Sequence, residues 1–127
     1  MEKIKLAVYG SLRLNQYNYK YFKNKYKDDF KYLYTTTIKG YKLFSLGSYP
    51  GIKECKNSEL TVDILEVSPE AFMRINDMEI GAGYELKPII SHNEKLGIYL
   101  YRQYTNDNMV VPSGDWSQYL KQNKIII

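Results

Sequence analysis

The order of strand and helix patterns along this 127-residue chain predicts an α+β protein. The patterns run β-α-β-β-β-α-β-β, whereas a doubly wound parallel sheet needs regular alternation of strands and helices. We therefore expect a mixed, mostly antiparallel sheet that could close into a small β-barrel, with helices flanking it. The length suits one domain, so a single domain over residues 1–127 is predicted.

The first half of the chain supplies the first strands and the first helix. Residues 4–9 are apolar enough to form a buried strand. Apolar and aromatic residues then recur at helical spacing, which predicts a helix over residues 15–27. Residues 31–46 are rich in Tyr, Thr and Leu and predict one or two strands interrupted near Gly40. Turn-forming residues follow at 47–51.

The second half predicts a strand, a helix and a hairpin. Apolar residues alternate with polar ones over 60–64, as in a half-buried strand. Ser68-Pro69-Glu70 is a helix start, and the helix should run to about Asp77 or Glu79, with Gly81 and Gly83 ending it. Residues 84–91 and 96–104 form a predicted hairpin around 92–95. A loop at 112–116 precedes a short helix, and the isoleucines at 125–127 either pack or fray.

Composition and charge narrow the class of protein. With 44% hydrophobic residues the chain can bury a core, so disorder is not expected. The net charge of +4 comes mainly from lysine and indicates a weak preference for anionic ligands. Lysine and tyrosine interleave over 17–34, but an amphipathic helix explains this better than a nucleic-acid surface. No apolar run approaches the ~20 residues of a membrane span, so we expect a cytoplasmic protein without membrane contact.

The residues that most often carry metal or nucleophilic chemistry offer little here. Cys55 is the single cysteine and has no cysteine or histidine at metal-ligand spacing, so a free structural thiol is expected. His92 is the single histidine and lies in a polar turn, where an exposed side chain is favoured over a catalytic one. We therefore expect no metal and no cofactor.

Two local features could still contribute to a reaction. The first strand ends at Gly10, where unpaired backbone N–H groups could hold a carboxylate, a phosphate or an oxyanion. Glu79 follows an apolar helix face, and both the helix dipole and apolar surroundings would raise the pKa of its carboxyl group. Such a group can act as a general base near neutral pH. On local sequence alone, an ordinary exposed glutamate remains the favoured alternative.

Five segments in order resemble the gamma-glutamylcyclotransferase-like family, in particular its small bacterial or phage-type members. They span about residues 4–120, and each is a weak motif by itself. The segments are VYGSLR at 8–13, GYKLF and YPGI at 40–44 and 49–52, the strand at 60–67, INDME and GY at 75–79 and 83–84, and SGDW at 113–116.

The resemblance implies a small mixed β-barrel with flanking helices and a cavity beside the first motif. It also implies a cyclotransferase that converts a γ-glutamyl amine or a related small amide to 5-oxoproline and a free amine. Glu79 would be the catalytic acid/base. The implied substrate-binding residues are Tyr9, Gly10, Ser11, Leu12, Tyr49 and Tyr84.

Two other classes of function stay open on the sequence. The same cavity could belong to a binding module that sequesters a small anionic metabolite or nucleotide without turnover. Exposed tyrosines could instead form a surface for a protein partner, since tyrosine is favoured at interfaces. For the cyclotransferase and for the binding module, the predicted ligand is a small anionic or γ-glutamyl molecule. The sequence leaves the oligomeric state open.

Overall fold

The computed structural model describes residues 2–123, which form one five-stranded sheet and three α-helices. Two short 3-10 helices, Lys27–Asp29 and Asp107–Met109, lie in the connections. The strands are β1 (Ile4–Val8), β2 (Phe30–Ser45), β3 (Pro50–Val67), β4 (Tyr84–Ser91) and β5 (Glu94–Tyr101). The helices are α1 (Tyr17–Tyr26), α2 (Pro69–Gly81) and α3 (Trp116–Gln122).

The strand order is β2-β3-β1-β5-β4, with β1 and β5 parallel and every other neighbouring pair antiparallel. This confirms the predicted α+β class and the mixed, mostly antiparallel sheet. The prediction that the sheet closes into a barrel is wrong, because the sheet is open. Three strands separate β2 from β4, and these two edges are not hydrogen-bonded to each other among residues 2–123.

Side chains, not backbone ladders, bridge the two sides of the curled sheet. Tyr34 of β2 donates a hydrogen bond to Glu94 at the start of β5, with an oxygen-to-oxygen distance of 2.7 Å. Lys87 of β4 forms an ion pair with Glu54 of β3. The architecture is therefore an open, curved sheet.

The hairpin of β2 and β3 is longer than the sequence predicts. Strand β3 begins at Pro50, so residues 50–59 extend the strand that was expected only around 60–64. These residues are mostly polar, so their sequence does not indicate a strand. Their strand structure is evident only from their pairing with β2. The predicted interruption near Gly40 is confirmed as a shift of register between Lys39 and Tyr41.

The helices begin and end close to the predicted positions. Helix α1 falls inside the predicted range of 15–27. At the start of α2, the Ser68 hydroxyl accepts a hydrogen bond from the Ala71 N–H at 3.1 Å, as expected for an N-cap. Helix α2 ends at Gly81, and Gly83 then turns the chain with a φ of +95°. Buried Ala71 and Ile75 attach this helix to the core.

The hairpin of β4 and β5 has a tighter turn than predicted. Only His92 and Asn93 lie between the strands, and both have positive φ angles, 54° and 63°. A two-residue turn of this kind matches the twist of the flanking strands. The isoleucines at 125–127, which were expected either to pack or to fray, lie outside the described residues. None of the helices described over residues 2–123 is long and apolar enough to cross a membrane.

Candidate active site

A cavity of about 160 Å³ lies beside the end of β1. Its wall combines the loop after β1, the start of β3, the end of α2, and residues of β4 and β5. The structure brings all seven residues singled out from the sequence to this one wall. They are Tyr9, Gly10, Ser11, Leu12, Tyr49, Glu79 and Tyr84.

The loop after β1 is held in a tight turn by its own backbone and by α1. The Arg13 N–H donates to the Gly10 carbonyl at 3.0 Å, and the Tyr19 N–H donates to the Ser11 carbonyl at 3.0 Å. The Asn18 amide donates to the Ser11 hydroxyl at 2.7 Å. The N–H groups of residues 10–12 make no hydrogen bond to any of the described residues. Because residues 10–12 also line the cavity, these N–H groups are candidate donors to an anionic group of a ligand.

Gly10 is needed for packing as well as for ligand access. A Cβ atom at this position would lie 2.8 Å from Pro50 Cγ, closer than real side chains approach. The position of Gly10 at the end of a strand predicts the close approach of a ligand. The structure adds the start of β3 as a second reason for the missing side chain.

A charged cluster behind the cavity fastens the far side of the same loop. Arg13 is buried and donates from Nη1 to Asp115 Oδ1 at 2.7 Å, while its Nε lies 3.3 Å from Asp63 Oδ2. Asp63 is buried too and accepts hydrogen bonds from the Leu14 N–H at 2.8 Å and from the Thr35 hydroxyl at 2.7 Å. The two carboxylates thereby hold the loop against β3 and the start of α3.

Glu79 lies in the last turn of α2 and is partly buried. Its carboxylate makes neither a hydrogen bond nor an ion pair with any residue in the described part of the chain. Loss of hydration on burial raises its pKa from the ordinary 4.5 to about 7. The carboxyl group can therefore both accept and release a proton near neutral pH.

Three tyrosine side chains near Glu79 stay neutral and direct their hydroxyl groups elsewhere. Tyr9 donates to the Tyr99 carbonyl at 2.6 Å, Tyr84 donates to the Pro50 carbonyl, and Tyr99 donates to Asn76 Oδ1 at 2.8 Å. Burial, followed by the negative charges nearby, raises the pKa of all three hydroxyls. Within residues 2–123, no tyrosine hydroxyl donates a hydrogen bond to the Glu79 carboxylate, which is consistent with the raised pKa of Glu79.

Sequence reasoning missed several residues of the cavity wall, above all Asn18, Met78 and Tyr99. Tyr99 belongs to an apolar strand and looked like an ordinary core residue. Asn18 lies in α1, and no local motif distinguishes it. Its contact with Ser11, seven residues earlier, arises from the turn between β1 and α1.

The other candidates lie away from this wall. His92 is exposed in the β4–β5 turn, as predicted, and Cys55 is a partly buried free thiol on β3. Over residues 2–123, no group of three or more His, Cys, Asp or Glu side chains is arranged to hold a metal ion. The expectation of a reaction without metal or cofactor stays a prediction.

Comparison with known proteins gives the class to which this fold and site belong. The sequence model of the family described as gamma-glutamyl cyclotransferase, AIG2-like, matches residues 6–118. The match covers most of the chain and includes the first motif, Glu79 and the SGDW segment. The chain belongs to this family.

Individual relatives agree with that assignment. A protein of Pyrococcus horikoshii, named a "putative gamma-glutamylcyclotransferase", is 35% identical over 85 residues, 67% of each chain. Its crystal structure superposes with a TM-score of 0.79 at 28% identity and covers 95% of this chain and 96% of its own. The solution structure of Escherichia coli ytfP gives 0.68 at 26% identity, covering 89% and 96%.

The fold extends to a more distant relative. An AIG2-like protein of the mouse has a TM-score of 0.74 at 16% identity, with 91% of this chain and 89% of the mouse chain covered. At that identity the likeness concerns the fold alone.

Proposed function

We propose that this protein is a cyclotransferase that converts a γ-glutamyl amine, or a related small amide, to 5-oxoproline and a free amine. The observation that carries the proposal is the Glu79 carboxyl group. It has no partner among the described residues, has a pKa of about 7, and shares a cavity wall with the unpaired N–H groups of residues 10–12. The family membership and the name of the Pyrococcus relative support the same reaction class.

The first half of the reaction closes a ring within one molecule. The α-amine nitrogen of the glutamyl group attacks its own γ-carbonyl carbon, so a new C–N bond forms and the carbonyl oxygen becomes an oxyanion. Glu79, in its carboxylate form, takes the proton that the attacking nitrogen loses. Because both reacting groups belong to one substrate, correct orientation can lower the barrier by about 7–11 kcal/mol in well-aligned cases.

The second half releases the amine. The oxyanion reforms the carbonyl group, the original C–N bond breaks, and protonated Glu79 gives its proton to the leaving nitrogen. The products are 5-oxoproline and a neutral amine, and the carboxylate is regenerated without any oxidation or reduction. A pKa near 7 suits a group that must accept and then return one proton at neutral pH.

The loop after β1 would stabilise negative charge in this sequence of steps. Its N–H groups can donate to the oxyanion or to the α-carboxylate of the glutamyl group. The Arg13 cluster keeps these donors in place without presenting its own charge to the substrate, because Asp63 and Asp115 already neutralise the guanidinium.

Incubation with a panel of γ-glutamyl conjugates and detection of 5-oxoproline tests the proposal. We expect 5-oxoproline and free amine in equal amounts from at least one conjugate. The Asp77→Asn variant is the matched control, because Asp77 is an exposed acid on the same helix that does not line the cavity. Absence of 5-oxoproline across the whole panel would contradict the proposal.

A non-catalytic binding module is the second candidate. The unpaired N–H groups of residues 10–12 could hold a small anion whether or not Glu79 takes part. A ligand that raises the melting temperature and is recovered chemically intact after long incubation would favour this candidate. Complete consumption of that ligand would exclude it.

A further inference from the structure

A second concave surface adjoins the cavity, and the proposed function leaves it unexplained. This groove, of about 350 Å³, lies between α1 and α2 and is here called the α1–α2 groove. Asn18 and Met78 line both spaces, so the cavity and the groove adjoin at these two side chains. The groove side chains used below are Tyr17, Tyr21, Lys25 and Arg74.

The size of the cavity means that an extended substrate must project beyond it. Its 160 Å³ is close to an engineered cavity of about 150 Å³ that takes up one benzene molecule. A space of this size suits the glutamyl group, whose ring closes beside Glu79. It does not also enclose a sizeable leaving amine, which must extend out of the cavity.

The α1–α2 groove is rich in positive charge. Lys25 of α1 and Arg74 of α2 are both exposed, and neither forms an ion pair with a carboxylate within residues 2–123. Glu70 precedes Arg74 by one helical turn but makes no such pair with it. Two cations therefore border one groove, and neither is in an ion pair with a described carboxylate.

Two tyrosine rings add apolar area to the same surface. Tyr17 is 66% exposed and Tyr21 is 56% exposed. The Lys25 ammonium lies 6.0 Å from the centre of the Tyr21 ring, at the outer limit of a cation–π contact. Exposed aromatic rings beside unpaired cations suit an organic anion better than a neutral or cationic group.

We propose that the α1–α2 groove is the subsite for the leaving amine, and that Lys25 and Arg74 select conjugates whose amine carries a carboxylate or a similar anionic group. The inference rests on the proposed function, because it assigns the glutamyl group to the adjoining cavity. It makes Lys25 and Arg74 specificity-determining residues. The bond that breaks then lies near Asn18 and Met78, at the junction of the two spaces.

Two conjugates that differ in one charge test this selection. The probes are γ-glutamylglycine, whose amine carries a carboxylate, and γ-glutamylmethylamide, whose amine carries none. Calorimetry measures their affinity for the Glu79→Gln variant, which binds without turnover if Glu79 is the acid/base. We expect γ-glutamylglycine to bind about tenfold more tightly, in line with charge-assisted contacts at a partly exposed site.

The affinities of the two probes in charge variants show whether Lys25 and Arg74 cause the preference for the anionic conjugate. In a Glu79→Gln background, adding Lys25→Gln and Arg74→Gln together should bring the affinity ratio of the two probes close to one. Adding Lys20→Gln instead, on the same helix but outside the groove, should leave the ratio near ten. The ratio should also shrink at high salt, because exposed charges are screened.

The outcomes separate this inference from the proposed function. Equal affinity for the two probes, a preference that survives the loss of both cations, or no binding of either probe would overturn the groove assignment. Failure of the proposed function would appear independently, as an absence of 5-oxoproline when the native protein is incubated with the whole panel of γ-glutamyl conjugates.

Discussion

The Arg13 guanidinium lies 2.7 Å from Asp115 Oδ1, across a sequence separation of 102 residues. Arg13 directly follows the loop that lines the cavity, and Asp115 caps the start of α3 by accepting from the Gln118 N–H at 3.1 Å. Asp63 of β3 completes the cluster. The loop is thus tied to two distant parts of the chain by one buried cation.

Replacing Arg13 should therefore destabilise the protein strongly. Arg13→Met leaves the Asp63 carboxylate buried without its cation, and we expect the free energy of unfolding to fall by about 3 kcal/mol. Urea titration measures this. Arg102→Met removes an exposed arginine and should change the stability by no more than about 0.5 kcal/mol. Equal effects of the two substitutions would refute the structural role of the cluster.

Gly10 should not tolerate even one added methyl group. In Gly10→Ala the new Cβ meets Pro50, so β3 or the loop must shift, at a cost of about 1–3 kcal/mol. Gly81→Ala is the matched control, because no atom lies within 4 Å of a Cβ at that helical position. It should be neutral or slightly stabilising. Thermal unfolding of both variants distinguishes them, and an unaffected Gly10→Ala would contradict the close approach.

Glu79 should make the protein less stable as the pH rises. Its folded-state pKa of about 7 exceeds the ordinary 4.5, so the folded state binds more protons between these two values. The free energy of unfolding is therefore highest below pH 4.5. It falls by at most about 3 kcal/mol as the pH rises from 4.5 to 7. Glu79→Gln cannot ionise, so it should match the native protein at pH 4.5 and exceed its stability at pH 8.

Urea titrations at the two pH values test this difference. Asp77→Asn, which changes an exposed acid on the same helix, should show no such crossover. A Glu79→Gln variant with the same pH dependence as the native protein would mean that the carboxyl group is not desolvated in solution.

The proposed reaction also predicts the shape of the pH–rate profile. It needs Glu79 as a carboxylate and the substrate amine in its neutral form. The free α-carboxylate beside that amine favours the ammonium form and keeps the pKa of the amine above that of Glu79. The logarithm of kcat/KM should then rise with a slope near two below pH 6.5 and flatten in two steps. A slope of one throughout, with a single bend at the substrate pKa, would exclude titration of Glu79.

The parts of the fold that local chemistry determines could be predicted from the sequence. Ser68 and Pro69 start α2 because a capping hydroxyl and a preset φ act within one turn. The early part of β3 could not be predicted, because its polar residues gain strand structure only by pairing with β2. The predicted barrel failed similarly, since strand closure depends on contacts between distant edges.

The residues of the candidate site likewise fall into two groups, those in local motifs and those brought together by tertiary packing. Glu79 and the loop at residues 9–12 belong to short motifs, so the sequence points to them directly. Tyr99, the pairing of Arg13 with Asp115, and the α1–α2 groove depend on side chains brought together by tertiary packing. No periodicity or motif in one sequence contains that information.

The rate of 5-oxoproline release by Glu79→Gln, compared with the native protein and with Asp77→Asn, tests the central claim most directly. Loss of a general acid/base costs about 10²–10⁴-fold in rate, so Glu79→Gln should be at least a hundredfold slower at pH 7. Asp77→Asn should keep the native rate. Release by Glu79→Gln within a few-fold of the native rate would contradict the assignment of Glu79 as the acid/base.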